Sequence, residues 1–211
     1  MSQSIYSEQP IQNLYAKSTL VKDKDIQEYV DTIQENKIII MNNDNHFIFG
    51  CNIWNIASVY KILDMKHVEH KTNVGEIPIC LCKGYYDSNI FLQLNSIEEK
   101  LYHILIRKFW PGNVNIMVRA KKIVESCLLY NDTYLCMHSP KNKYVKKILE
   151  KTNINMITFQ ACARGTSPNI YYEDVQAQYG SNDIPICSKD HTVVSGIDTT
   201  TILINNNTIY L

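Results

Sequence analysis

Residues 159–169 read FQACARGTSPN, a run of small residues carrying three side chains with chemistry: Gln160, Cys162 and Arg164. They fall between a strand-like and a helix-like segment, and connecting loops are where binding groups concentrate. Gln160 can donate an N–H, Arg164 supplies a fixed charge, and Cys162 is a poor donor. A catalytic thiol needs a base beside it; the chain has six histidines, none at a recognisable spacing from Cys162. Lys66 closes a helix-like run, and reads either as a solvated helix-end lysine or as a cation serving a site. His138 ends a strand-like run, and is open between a satisfied strand-end histidine and a ligand-binding one. Thr199 and Thr200 offer two hydroxyls, or are plain strand residues. Residues 141–151 hold five lysines, which read as a solvated helix face, with contact to RNA as the alternative.

Composition bounds these readings. With 211 residues the chain fits one domain, and 45% hydrophobic residues can fill a core. The 21 basic and 21 acidic side chains cancel, so no global pull toward nucleic acid or membrane follows. No apolar run approaches 18 residues, so no membrane span is expected. The polar opening MSQSIYSEQPIQN has no signal-peptide core, and a cytoplasmic location is expected. Seven irregularly spaced cysteines fit reduced, mostly buried thiols, and no paired ligand spacing supports a metal site.

The elements that must position these residues follow from periodicity. Residues 1–17 read as a loose arm, and 18–211 as the folded domain. Helical spacing covers residues 25–34, 54–65, 96–109, 143–151 and 172–179. Ser96 is the expected cap of the third helix, with Leu101, Ile104, Leu105 and Phe109 facing inward. Strand-like runs cover 37–41, 77–82, 113–119, 133–138, 156–160, 184–187 and 199–204, with HFIFGCN after the polar loop NNDN. Cys80 and Cys82 should share one strand face. Pro111-Gly112 turns the chain between helix and strand. The alternation argues an α/β domain with a mixed sheet.

The order of these features resembles the YrdC-like family of threonylcarbamoyl-adenylate synthases. Asn42-Asn43-Asp44-Asn45, followed by His46-Phe47-Ile48-Phe49-Gly50, is similar to the family's Pro-Thr-Asp/Glu-Thr loop and its Tyr-Gly-Leu-Gly continuation. Lys66 falls on the lysine of the Lys-x-Arg helix end, where Val68 replaces the arginine and Lys71 lies close. Phe109-Trp110-Pro111-Gly112 matches the Trp-Pro-Gly-Pro segment best. His138 stands where an Arg-x-Pro strand has its arginine. Gln160-Ala161-Cys162-Ala163-Arg164-Gly165 falls on the Ser-Ala-Asn-x-Ser-Gly loop, continued by Ser167-Pro168. Gly196-Ile197-Asp198-Thr199-Thr200 falls on the late Gly-x-x-Ser-Thr strand. The likeness covers about residues 20–205.

That resemblance implies a single α/β domain with a twisted mixed sheet, flanking helices and a concave cavity. It implies ATP, threonine and bicarbonate as substrates, with Mg2+ accompanying ATP, and a threonylcarbamoyl transferase complex or tRNA downstream. Some relatives bind double-stranded RNA. Three anions in one reaction must be offset by cations and oriented donors. The resemblance assigns phosphate neutralisation to Lys66. It assigns phosphate positioning to Gln160, Thr199 and Thr200, and threonine or bicarbonate to Asn43 and Asn45. Phe47, His138, Cys162, Arg164 and Pro168 complete the implied substrate-binding set. Because arginine, serine and asparagine positions are exchanged, a catalytically inactive module that binds nucleotide, double-stranded RNA or a protein is the alternative. Ile48, where the family has glycine, is expected to narrow the cavity.

Overall fold

The computed structural model describes residues 23–43, 45–67, 76–187 and 199–211. The expected arm at 1–17, Asp44, Val68, Lys71 and the segment Gly196-Ile197-Asp198 lie outside the described residues. The elements run α1 (Asp23–Gln34), β1 (Ile39–Asn42), β2 (Phe47–Asn52), α2 (Ile56–Met65), β3 (Ile79–Leu81), α3 (Tyr85–Asn89), α4 (Ser96–Phe109) and β4 (Val114–Arg119). They continue with β5 (Tyr134–His138), α5 (Lys143–Thr152), β6 (Met156–Gln160), α6 (Tyr172–Tyr179), β7 (Ile186–Cys187), β8 (Thr200–Asn205) and β9 (Thr208–Tyr210).

Among the described residues these strands form one mixed sheet in the order β7-β1-β2-β6-β3-β5-β4-β8-β9. The β1–β2, β2–β6, β3–β6, β4–β5 and β8–β9 pairs are antiparallel, while β3–β5, β4–β8 and β1–β7 are parallel. Alternation along each strand divides the side chains between two faces. One face carries Phe47, Phe49, Cys80, Ile116, Val118, Met137, Phe159 and Ile202 into the larger core, which includes Val59, Ile62, Tyr102, Leu105 and Val175 of the helices. The other carries Ile39, Met41, Ile48, Leu81 and Met156 against α1 and α5. Cys80 and Cys82 do share one face, and all seven cysteines are free thiols.

Two local expectations give way to the structure. Asn95, not Ser96, caps α4: its side chain accepts from the Ile97 and Glu98 amides, and Glu98 returns the bond to complete a capping box. Inside α4 the buried side chains are Tyr102, Leu105 and Ile106, while Ile104 is 60% exposed. Leu101 and Phe109 pack against the core beside Leu105 as expected, and Tyr102 joins them, its hydroxyl bonding Ser88 at 2.8 Å.

Two devices place the strand ends that matter for the site. Asn142 caps α5, and its amide also donates to the Asn42 carbonyl at 3.1 Å, holding the exit of β5 against the β1–β2 turn. Trp110 donates Nε1–H to the Val114 carbonyl at 2.8 Å, and the Gly112 amide donates to the Ser139 carbonyl at 3.1 Å. The Trp110–Pro111 bond is cis. The Phe109-Trp110-Pro111-Gly112 segment therefore clips the start of β4 to the end of β5.

Candidate functional site

Lys66 is the C-cap of α2, and its side chain is 1% exposed. A buried ammonium must find partners, because an unpaired charge away from water is very costly. Its Nζ donates to the Gln160 carbonyl at 2.5 Å and the Cys162 carbonyl at 2.6 Å, and meets Glu76 Oε2 at 3.0 Å. The second Glu76 oxygen accepts from the Gln160 amide. The Arg164 amide bonds back to the Lys66 carbonyl at 3.4 Å. One lysine, one carboxylate and the loop after β6 thus form a closed knot. Sequence reading missed Glu76, since nothing in spacing marks an ion-pair partner ten positions away.

The same loop is pinned from the other side. The Ala161 amide donates to Phe47 O at 2.9 Å, and the Phe47 amide to Asn169 O at 3.0 Å. Asn169 Nδ2 donates to Ala161 O at 2.6 Å and to Gln178 Oε1 at 2.9 Å. Gly165 adopts φ +76°, the left-handed region that suits glycine. Arg164 is exposed on this turn and Pro168 is half-buried before Asn169. Burial pushes the Cys162 thiol up, and the Lys66 charge only partly opposes that. A protonated, buried sulfur is no nucleophile.

A second group assembles on the sheet face opposite the larger core. Asn115 of β4 pairs with Thr201 of β8, and its Nδ2 donates to Thr199 Oγ1 at 2.7 Å and Thr201 Oγ1 at 3.3 Å. His138 lies opposite Leu81 of β3, one step beyond the Met137–Ile116 pair, so it stands beside Asn115. The ring is 2% exposed. Burial lowers its pKa to about 4; the Val114 carbonyl works against the shift and the His46 charge adds to it. That carbonyl faces the ring without reaching good geometry, and neither ring nitrogen has a hydrogen-bond partner. His46 is half-buried in the β1–β2 turn, where Asn43 and Asn45 are buried. The Asn43 amide donates to the His46 carbonyl at 3.0 Å, and Asn43 Oδ1 is unpartnered.

The structure brings Lys66, Gln160, Cys162 and Arg164 together at one loop, and Asn43, His138 and Thr199 to the second face. Two expected residues stand away from this second group. Phe47 is wholly buried in the larger core. Thr200 has the strand parity of Ile202 and Ile204, so it turns away from His138, and Thr201 takes its place beside Thr199. Alternation by two explains both. Asn115, Thr201 and His46 are the site-face residues that sequence reading passed over; strand parity relative to His138 and Asn43 was the available signal.

The Sua5/YciO/YrdC family model, described as "Telomere recombination", matches residues 31–210. A threonylcarbamoyl-AMP synthase of Buchnera aphidicola subsp. Baizongia pistaciae (strain Bp) is 23% identical over 162 residues, spanning 76% of this chain and 83% of that protein. One from Histophilus somni (strain 2336) is 22% identical, spanning 76% and 85%. Among solved structures, P. abyssi Sua5 (H234A/Y235A) superposes with a TM-score of 0.79 at 15% identity, over 90% of this chain and 56% of that one. P. abyssi Sua5 complexed with L-threonine gives 0.74 at 16% identity, over 85% and 50%. E. coli YciO gives 0.75 at 16% identity, over 90% and 88%. The chain thus spans about half the length of the Sua5 chains and nearly all of YciO. No helix among the described residues is long and apolar enough to cross a membrane. With a family match over most of its length and the same single α/β domain and mixed sheet, the chain belongs to the Sua5/YciO/YrdC family.

Proposed function

We propose that the chain is a threonylcarbamoyl-AMP synthase that joins threonine, bicarbonate and ATP and releases pyrophosphate, serving tRNA modification. The observation that carries this reading is the knot of Lys66 with the loop at Gln160, Cys162 and Arg164, which fixes the loop that the resemblance assigns to phosphate. Two relatives bear that enzyme's name, and one Sua5 neighbour was solved with L-threonine. In this reading Lys66 is a positioning residue: its three donors are engaged, and it shapes the loop rather than meeting phosphate. The exposed Arg164 is the cation on that loop with room to reach a triphosphate. Asn43, Asn115, Thr199 and Thr201 would orient threonine and bicarbonate. Mg2+ would enter with ATP; no cluster of three His, Cys, Asp or Glu stands ready for a metal among the described residues.

A second reading, a catalytically inactive binding module, is favoured by one observation: Glu76 neutralises the buried Lys66 charge. Calorimetry separates the two. Under the first reading ATP binding tightens when threonine and bicarbonate are present, and Arg164→Ala weakens it about tenfold or more, the loss of a charged hydrogen bond. ATP binding indifferent to threonine supports the module. Absence of ATP binding by folded protein overturns the synthase reading.

A further inference from the structure

Among the described residues, most of the buried polar atoms without partners belong to side chains at or beside the sheet face opposite the larger core, Tyr179 Oη in the larger core being the exception. They include both nitrogens of His138 and the Oδ1 atoms of Asn43, Asn113 and Asn115. Native proteins leave few buried polar groups unpaired, so a cluster of them on one sheet face marks a place where a ligand completes the bonding. Asn113 shares strand parity with Asn115, and His138 stands beside Asn115 on the neighbouring strand. His46 approaches from the β1–β2 turn. From the segment after β5, Lys141 reaches the Gly112 turn: its Cε lies 3.4 Å from where a Cβ on Gly112 would sit. From β3 the neighbour is the apolar Leu81, and from β8 the hydroxyls of Thr199 and Thr201 face Asn115. Among the described residues, the titratable groups named at this region are His138, His46 and the rim Lys141. An imidazole offers one donor when neutral and two when charged, and a side-chain amide presents either its NH2 or its oxygen by rotation.

We propose that His138, with His46, Asn43 and Asn115, forms a binding site for a small oxyanion and takes up a proton as the ligand enters, so that the anion is held more tightly as pH falls. The inference deepens the synthase reading and rests on it only in taking this face as the ligand-binding face. An arriving phosphoryl or carboxylate oxygen gives the buried ring its missing partner, and its charge favours the imidazolium. The ring charges by accepting a solvent proton at the nitrogen that then donates to the anion; no covalent bond changes. A permanent cation at position 138 would bind the same anion at any pH. This chain carries a titratable one, held neutral by burial until the ligand arrives.

The test is calorimetry with sulfate, as a phosphoryl stand-in that does not titrate, and with acetate, as a carboxylate. Each is run at pH 7.5, 6.5 and 5.5 in two buffers of different ionisation enthalpy. Wild type should take up about one proton per bound anion and bind roughly tenfold tighter per unit of pH decrease. The arm that binds, sulfate or acetate, names the ligand source. His138→Gln should lose the pH slope, and His138→Arg should bind with no proton uptake. If either variant fails to fold, imidazole NMR of wild type decides: the His138 resonance should move to the charged form on adding anion at pH 6.5. Binding without proton uptake, an unchanged slope in His138→Gln, or no binding of either anion at pH 5.5 overturns the proposal. Proton-coupled anion binding without threonine-dependent pyrophosphate release would sustain this site and sink the synthase reading. Turnover with no proton linkage would do the reverse.

Discussion

Removing Glu76 should unravel the loop more than any exposed change beside it. Lys66 Nζ has two carbonyl partners and one carboxylate, and is 1% exposed. Glu76→Ala leaves that ammonium without a counter-charge and takes the acceptor from the Gln160 amide. Breaking a buried pair from one side costs about 3–5 kcal/mol. The Glu76 side chain is 21% exposed, so water can enter the gap and the lower end, about 3 kcal/mol, is expected. For a domain of this size that is a fall in Tm of roughly 6–12 °C. Urea unfolding of Glu76→Ala, Lys66→Met and the double variant forms a cycle. The double variant should be less damaged than the sum of the singles by about 2 kcal/mol, within the range for residues in contact. Additivity within about 0.5 kcal/mol would refute the knot, because distant independent sites behave that way.

Three further outcomes follow from the geometry. His138 is held below the ordinary histidine value, to about 4, so the unfolded chain binds a proton that the folded one refuses. Stability is therefore full above about pH 6.5 and falls by up to about 3 kcal/mol as pH drops toward 4; His138→Gln should flatten that segment of a urea-unfolding pH series. Gly112→Ala drives a Cβ into the Phe109 carbonyl oxygen, whereas at Gly84 nothing lies within 4 Å. The first should cost about 1–3 kcal/mol and the second little, read by thermal melts. Asn95→Ala should cost about 1 kcal/mol by loss of the capping box, while Ser96→Ala should be close to neutral.

Long, strongly periodic segments could be read from sequence. Residues 156–160 and 172–179 are β6 and α6 with the same bounds, because an apolar run of strand length and a helix closed by a glycine leave little ambiguity. The short α3 and β9 went unread: five and three residues carry too little pattern. Site residues were legible as neighbourhoods rather than as directions. The loop at 160–164 and the lysine before it could be named from their order along the chain. The burial of Phe47 and the outward turn of Thr200 follow from strand parity, which needs the register before it can be used. Glu76 was beyond reach because an ion-pair partner is chosen by tertiary packing. The charge lost at His138 was visible as a residue type, yet the depth of its burial was not.

The most direct test of the account is pyrophosphate release by the purified chain. ATP and bicarbonate would be supplied with and without L-threonine, and Arg164→Ala run in parallel. The account predicts release that requires all three substrates and drops about tenfold or more in the variant. Folded, ATP-binding protein that releases no pyrophosphate, or releases it equally without threonine, would contradict it.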